Sequence, residues 1–178
     1  MSESTAQTLE RLLSEAVTTS AGLQAVIEWY SRAIDAERCC LFLRHPVSRM
    51  SRMTHEWVSD DKFRINRDSS VWEREAATLE TEDPMFAEAL ARPDALYIDD
   101  VRSADPNLVN AEFEERCFGH RALVHAPLYF EDLMYGILEP CVFEQPRRWS
   151  ESDQSLTAAI QPRLAEAVAS FVIQDCPS

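Results

Sequence analysis

Glycine is scarce in this sequence, with only Gly22, Gly119 and Gly136 among 178 residues. None of the three sits in a phosphate-cradling run such as G-x-x-x-x-G-K or G-x-G-x-x-G, which excludes the nucleotide-loop enzymes. Cysteine is equally sparse: five residues, an odd number, with Cys39 and Cys40 adjacent. That is no disulfide framework, and it suits thiols in a reducing compartment. No apolar run approaches the roughly 18 residues that span a bilayer. The polar opening, residues 1–7, is not the basic-then-apolar start of a signal peptide, so the expected location is the cytoplasm. Positive charge is short as well, 17 basic against 31 acidic residues for a formal −14, so phosphate backbones and anionic lipids should repel the chain. Neither nucleic acid nor membrane is expected as a partner. Lys62 is the one lysine, leaving 16 of the 17 basic residues as arginine, a bias of GC-rich bacterial genomes that says nothing about activity. No G-x-S-x-G, H-E-x-x-H or D-x-D-x-D-G motif occurs, so no catalytic residue is assigned.

What is present reads as one globular domain over residues 1–178, with a core from about 8 to 173. Leu9, Leu12, Leu13, Ala16 and Val17 fall at helical spacing, and Leu23, Val26, Ile27, Tyr30, Ala33 and Ile34 repeat the period after a break. Ser20 is the expected cap of the second stretch, so the chain opens with two helices or one bent helix. The apolar run Cys39–Leu43 predicts a strand covered on both faces, and Met53, His55 and Trp57 alternate in a second, antiparallel one. Residues 59–83 lack either period despite Phe63, Ile65, Val71 and Trp72, and predict a loop with a short helix. Pro84 and Pro93 bracket a helix, Ala95–Ile98 a short strand, and Asn107–Phe118 a helix ending at Gly119. Residues 121–130 and 133–143 are two strands joined by the tight turn Glu131-Asp132. A long last helix starts at Ser150 with Asp153 in a capping pattern and is expected to bend at Pro162.

This order of elements, together with three runs of residues, resembles a GAF domain, a relative of the PAS sensory fold. The runs are Phe118-Gly119-His120-Arg121-Ala122-Leu123-Val124-His125-Ala126-Pro127-Leu128, then Met134-Tyr135-Gly136-Ile137-Leu138, then Pro146-Arg147-Arg148-Trp149. They are similar to the F-x-V-[KR]-A-x-L-V-x-P-[IL], [LM]-[WY]-G-[LI]-[LI] and P-R-x-W runs of cyanobacteriochrome and phytochrome-like GAF domains. Glu37-Arg38-Cys39 and His55-Glu56-Trp57 resemble the family's D-R-V and Y-E-W. The resemblance implies an α+β fold: a central antiparallel sheet of five or six strands, terminal helices on one face and a ligand pocket on the other.

Bilin-binding members attach their pigment through a cysteine, usually followed by histidine, at positions that align here with Asn110 and Ala111. Neither can supply a thiolate, so a covalent bilin is not expected, and the ligand's identity stays unknown. The pigment-contacting histidine of the family aligns with Cys141. Cys117, two helical turns from Asn110, is where a relocated linkage would have to form.

Family geometry implies that Leu123, His125, Glu139 and Cys141 point into the cavity, and period-two alternation puts each pair on one strand face. That face is polar where a plain core would be apolar. The short turn sets His125 opposite or diagonal to Glu139, within reach of a hydrogen bond. The pair reads either as a ligand anchor or as a satisfied buried contact that fixes register. Trp57, Trp72, Phe113 and Cys117 complete the candidate ligand-binding set, Trp72 as the lid residue. Cys117 and His120 have a C-x-x-H spacing, but two ligands do not make a zinc site, so no metal is assigned.

The functional expectation is a stand-alone sensory or regulatory domain. It binds a small ligand without covalent attachment, pairs as a homodimer through its terminal helices and signals to a separate protein, since no output segment follows residue 173. The rivals are a redox enzyme of the GAF-type methionine sulfoxide reductase class using Cys117 and Cys141, and a ligand-free dimerisation scaffold.

Overall fold

The structure, a computed structural model, describes residues 3–16, 19–64 and 71–177, without the side chains of 3–6, 15 and 16. Val17 and Ile65 lie outside this set. Two helices open the chain, α1 (Glu3–Ala16) and α2 (Ser20–Ala33). The cap of α2 is Thr19, not Ser20: its hydroxyl accepts the Gly22 amide at 2.9 Å. Ser20 is left free to reach His55. A hairpin follows, β1 (Arg38–Arg44) and β2 (Met50–Val58), then the two-residue β3 (Glu73–Arg74) and the short helices α3 (Leu79–Glu82) and α4 (Pro84–Ala91). β4 (Leu96–Ile98) and α5 (Ala111–Cys117) precede the second hairpin, β5 (Ala122–Phe130) and β6 (Leu133–Val142), and α6 (Glu151–Asp175) closes the fold.

The six strands among the described residues form one sheet in the order β3-β2-β1-β6-β5-β4, every pair antiparallel. Glu131 and Asp132 carry the β5–β6 turn at φ 49° and 62°, the doubly left-handed geometry of a type I′ turn, whose twist matches the strands it joins. Alternation along the strands then sorts the side chains. Ala122, Val124, Ala126 and Leu128 of β5, with Leu138 of β6 and Leu41 and Leu43 of β1, belong to one large core. α6 and α2 lie on that face, and α1 rests on both helices. Leu123, His125, Ile137, Glu139 and Cys141 point to the other face, where α3, α4 and α5 gather.

Two local devices hold the helical layer. Arg147 donates to the carbonyls of Ile34 and Asp35 at the end of α2 and lies over the Trp149 ring at 4.5 Å, while Trp149 Nε1 donates to the Ile98 carbonyl. The P-R-x-W run is thus a strap from α2 to β4. The second device is the capping box of α6, in which Ser150 and Asp153 satisfy each other's backbone amides. Pro162 sits inside α6, which runs on unbroken as one 25-residue helix.

Leu9, Leu12 and Leu13 of α1 and Ile160 and Leu164 of α6 are buried in the shared core, while Leu156 and Phe171 of the same stripe are partly buried against it. α6 has the length and composition to cross a membrane, contrary to the sequence reading, but Ile160, Leu164, Val168 and Val172 are packed into the core and Ile173 stays exposed.

Candidate functional site

On the face opposite the long helices, β5 and β6 carry a buried polar network. His125 and Glu139 sit between the Leu123–Cys141 and Ala126–Leu138 pairs of the ladder, and His125 Nδ1 donates to Glu139 Oε2 at 2.9 Å. The predicted contact is therefore made. His120, two residues before β5, adds a second imidazole: its Nδ1 meets Glu114 Oε2 of α5 at 2.9 Å and its Nε2 lies 3.9 Å from Glu139 Oε1. Arg38, at the start of β1, donates Nη2 to that same Nε2 at 2.8 Å, so Nε2 accepts and Nδ1 carries the hydrogen given to Glu114. Both ring nitrogens are engaged, which leaves the Cys117–His120 spacing without a metal-binding lone pair.

Burial alone would discharge these groups; their mutual charges do the reverse. Desolvation pulls His125 down, but the hydrogen bond and charge of Glu139, with Asp83 and Glu114, outweigh it and hold the imidazole above its ordinary 6.5. Desolvation likewise pushes Glu139 up, and the hydrogen bond from His125 with the charges of His125 and Arg38 takes it well below the usual glutamate range. Asp83 differs. Its burial prevails over His125 and the Phe86 amide, and the carboxyl is pushed up to about 6. Arg38 is wholly buried, and its Nε and Nη1 find no hydrogen-bond partner among the described residues, the ring of Phe143 standing 5.4 Å away.

Above the network is a cavity of about 60 Å³. Its walls are apolar: Phe42 packs edge-on against Phe86, Phe113 against Phe118, and Met53, Leu79 and Ile137 fill between. Its polar lining is Asp83, His125 and Glu139. His125 Nε2 is buried with no hydrogen-bond partner among the described residues. Two wider clefts, about 490 Å³ near Ala36, Ser59 and Arg147 and about 310 Å³ near Tyr97, Asp100 and Leu108, lie elsewhere on the surface. Neither holds any of the buried unpartnered side-chain atoms, so the chemistry concentrates at the smallest of the three.

Of the sequence-predicted set, Phe113, His125 and Glu139 meet at this cavity. Leu123 and Cys141 share its sheet face but are packed in a separate cluster with Met85, Ile98, Val101 and Val109, out of the cavity. Cys117 ends α5 outside the lining. Trp57 lies on the helical face, because a bulge in β2 shifts the register between Cys39 and Leu41 and His55 turns over at φ 49°. Trp72 is no lid. It is buried in the helical core, donates Nε1 to Asp175 Oδ2 at 2.9 Å and stacks under Arg52, so it fastens the end of α6.

Sequence reasoning missed Asp83, whose capping of α4 is legible before Pro84 but whose burial is not. It also missed Arg38 and Glu114. A further pair, Ser20 Oγ and His55 Nε2 at 2.8 Å, has the look of a nucleophile and base. Burial and the Arg52 charge pull His55 down to about 4, and its Nδ1 has no hydrogen-bond partner among the described residues to orient it, so the pair lacks the base a serine needs. Cys40 is pushed up to about 12 and Cys39 and Cys141 far above the usual thiol by burial, which leaves them protonated and poor nucleophiles.

Comparison with known proteins places this geometry. The GAF domain family profile matches residues 19–168. Among solved structures, a phycoerythrobilin-bound GAF domain from a cyanobacterial phytochrome is similar at TM-score 0.70 and 17% identity, over 98% of this chain and 99% of that one. The GAF domain of an Acinetobacter phosphoenolpyruvate-protein phosphotransferase is similar at 0.64 and 15%, over 98% and 97%. The blue-light absorbing form of the Thermosynechococcus elongatus PixJ GAF domain is similar at 0.61 and 17%, over 85% and 89%. No curated protein matches.

Proposed function

The chain belongs to the GAF domain family, and from that premise we propose that it is a cytoplasmic sensory or regulatory domain holding a small ligand non-covalently against His125 and Glu139. One observation carries this reading: His125 Nε2 is buried, without a hydrogen-bond partner among the described residues, in a cavity walled by apolar side chains apart from Asp83, His125 and Glu139. A buried ring nitrogen without a partner costs on the order of 1–3 kcal/mol, and a ligand that completes its hydrogen bond recovers that cost. A plain core would place an apolar side chain there. The five free cysteines agree with a reducing compartment.

The neighbours named for their bilins raise a linear tetrapyrrole as a second reading. The residues here do not fit it. The attachment position, Asn110, is a helix cap whose Oδ1 accepts the Phe113 amide and whose Nδ2 donates to the Glu82 carbonyl. The cavity, about 60 Å³, is far below the roughly 300 Å³ at which pockets for larger ligands begin. Absorption of visible light by the purified protein would restore the pigment.

Differential binding supplies the mechanism: a ligand that prefers one arrangement of residues 71–83 shifts the population toward it. Output to a second copy through the outward faces of α1 and α6, and onward to a separate signalling protein, belongs to the same proposal. The redox reading loses support from the protonated, buried Cys141, and the scaffold reading from the orphan nitrogen. Native mass spectrometry of freshly purified protein tests the whole. A mass excess removable by mild activation, and absent from His125→Phe, is expected; a bare chain mass under the gentlest conditions overturns the reading.

A further inference from the structure

The cavity's polar groups are complementary in a way that selects one class of molecule. His125 uses Nδ1 on Glu139 and has Nε2 left over, buried and unpartnered among the described residues. Asp83 uses Oδ1 on the Phe86 amide at 3.1 Å, which leaves Oδ2 for another donor. The two residues line the same space, with Glu139 behind His125. Set between the carboxylates of Glu139, at 2.9 Å, and Asp83 on the same cavity, the ring is favoured in its protonated form, in which Nε2 carries a hydrogen and demands an acceptor; an aspartate oxygen demands a donor. An anion answers the first demand and sets its charge against Asp83 and Glu139. A cation answers the second, and has no lone pair for Nε2.

From this pairing, and resting on the ligand-binding reading above, we infer that the cavity takes a small uncharged molecule that is donor and acceptor at once, such as a primary amide. Size narrows the class further. Set against the roughly 150 Å³ cavity that takes benzene, about 60 Å³ holds a few heavy atoms. The apolar walls of Phe42, Phe86 and Phe113 exclude further polar substituents.

Three isosteres separate the charges at constant shape: acetamide, acetate and acetamidinium. Each is titrated into the full ¹⁵N-labelled chain at pH 7 while the His125 ring nitrogens are followed by long-range ¹H–¹⁵N spectra. Acetamide is expected to move the Nε2 resonance saturably, with a Kd at least ten-fold below those of the two ions. Asp83→Asn, which keeps the helix cap, is expected to bring acetate to within three-fold of acetamide. Acetate or acetamidinium binding the native chain as tightly as acetamide overturns the inference, as does an Nε2 resonance that none of the three moves. A charged molecule retained in native mass spectrometry would sink this selectivity and leave the ligand-binding reading standing; a bare mass would end both.

Discussion

Asp83 and His55 are buried titratable groups whose shifts act on stability with opposite sign. Burial raises the Asp83 carboxyl from 3.8 to about 6, so the folded state holds a proton that the unfolded chain releases. Stability from this group is therefore greatest below 3.8 and falls as pH climbs through 6. Burial, with Arg52, lowers His55 from 6.5 to about 4, so the unfolded chain binds the extra proton and stability rises with pH across that window. Between about 4 and 6 the two slopes oppose each other. Asp83→Asn removes one of them. By urea denaturation the variant should match the native chain near pH 4 and exceed it by roughly 1–3 kcal/mol at pH 7.5; a variant less stable at pH 7.5 would refute the assignment. Glu139→Gln tests the other carboxylate. With the charge gone, desolvation governs His125, and its titration, read by NMR, should drop from above 6.5 to below it.

At the scale of elements, close approach of backbones fixes the central pairing. A methyl on Gly136 would meet the Phe42 carbonyl oxygen of β1 at 2.5 Å, with Val168 of α6 at 3.4 Å behind it. Neither backbone can yield without breaking the ladder, so Gly136→Ala should cost on the order of 3 kcal/mol in thermal or chemical unfolding. The edge segment makes a contrasting prediction. Trp72→Phe deletes the bond to Asp175, which Arg52 still holds at 2.7 Å, for a loss of about 1 kcal/mol. Amide titrations at His125 should stay within two-fold of the native chain; a ten-fold weakening would return Trp72 to the lid. This difference in role explains what the sequence could disclose. The β5–β6 hairpin was legible because its alternation and its turn agree over some twenty residues. β3 and α3 are two and four residues long, too short to show a period. Nor does any local pattern announce that Trp72 binds a residue 103 positions away.

For the whole molecule, amphipathic stripes told which helix faces are buried but not what buries them. Leu12 and Leu164 read equally well as an intermolecular seam or as core, and only the return of α6 across the sheet decides for core. The same limit applied to the site. His125 and Glu139 followed from strand parity and a two-residue turn, whereas the β2 bulge broke parity and carried Trp57 to the other face. Asp83, Glu114 and Arg38 arrive from three separate elements, and only the folded chain brings them together.

Asn110 stands where the sequence resemblance sets the pigment-attaching cysteine of bilin-binding relatives. The side chain that stands at the attachment position knots the start of one helix to the end of another, through the Phe113 amide on one side and the Glu82 carbonyl on the other. Installing a thiol there would cut both ties at once and loosen the stretch that leads to Asp83. A designer hoping to graft a chromophore onto this scaffold must therefore rebuild the junction between those helices first, because one substitution cannot supply the linkage and keep the joint.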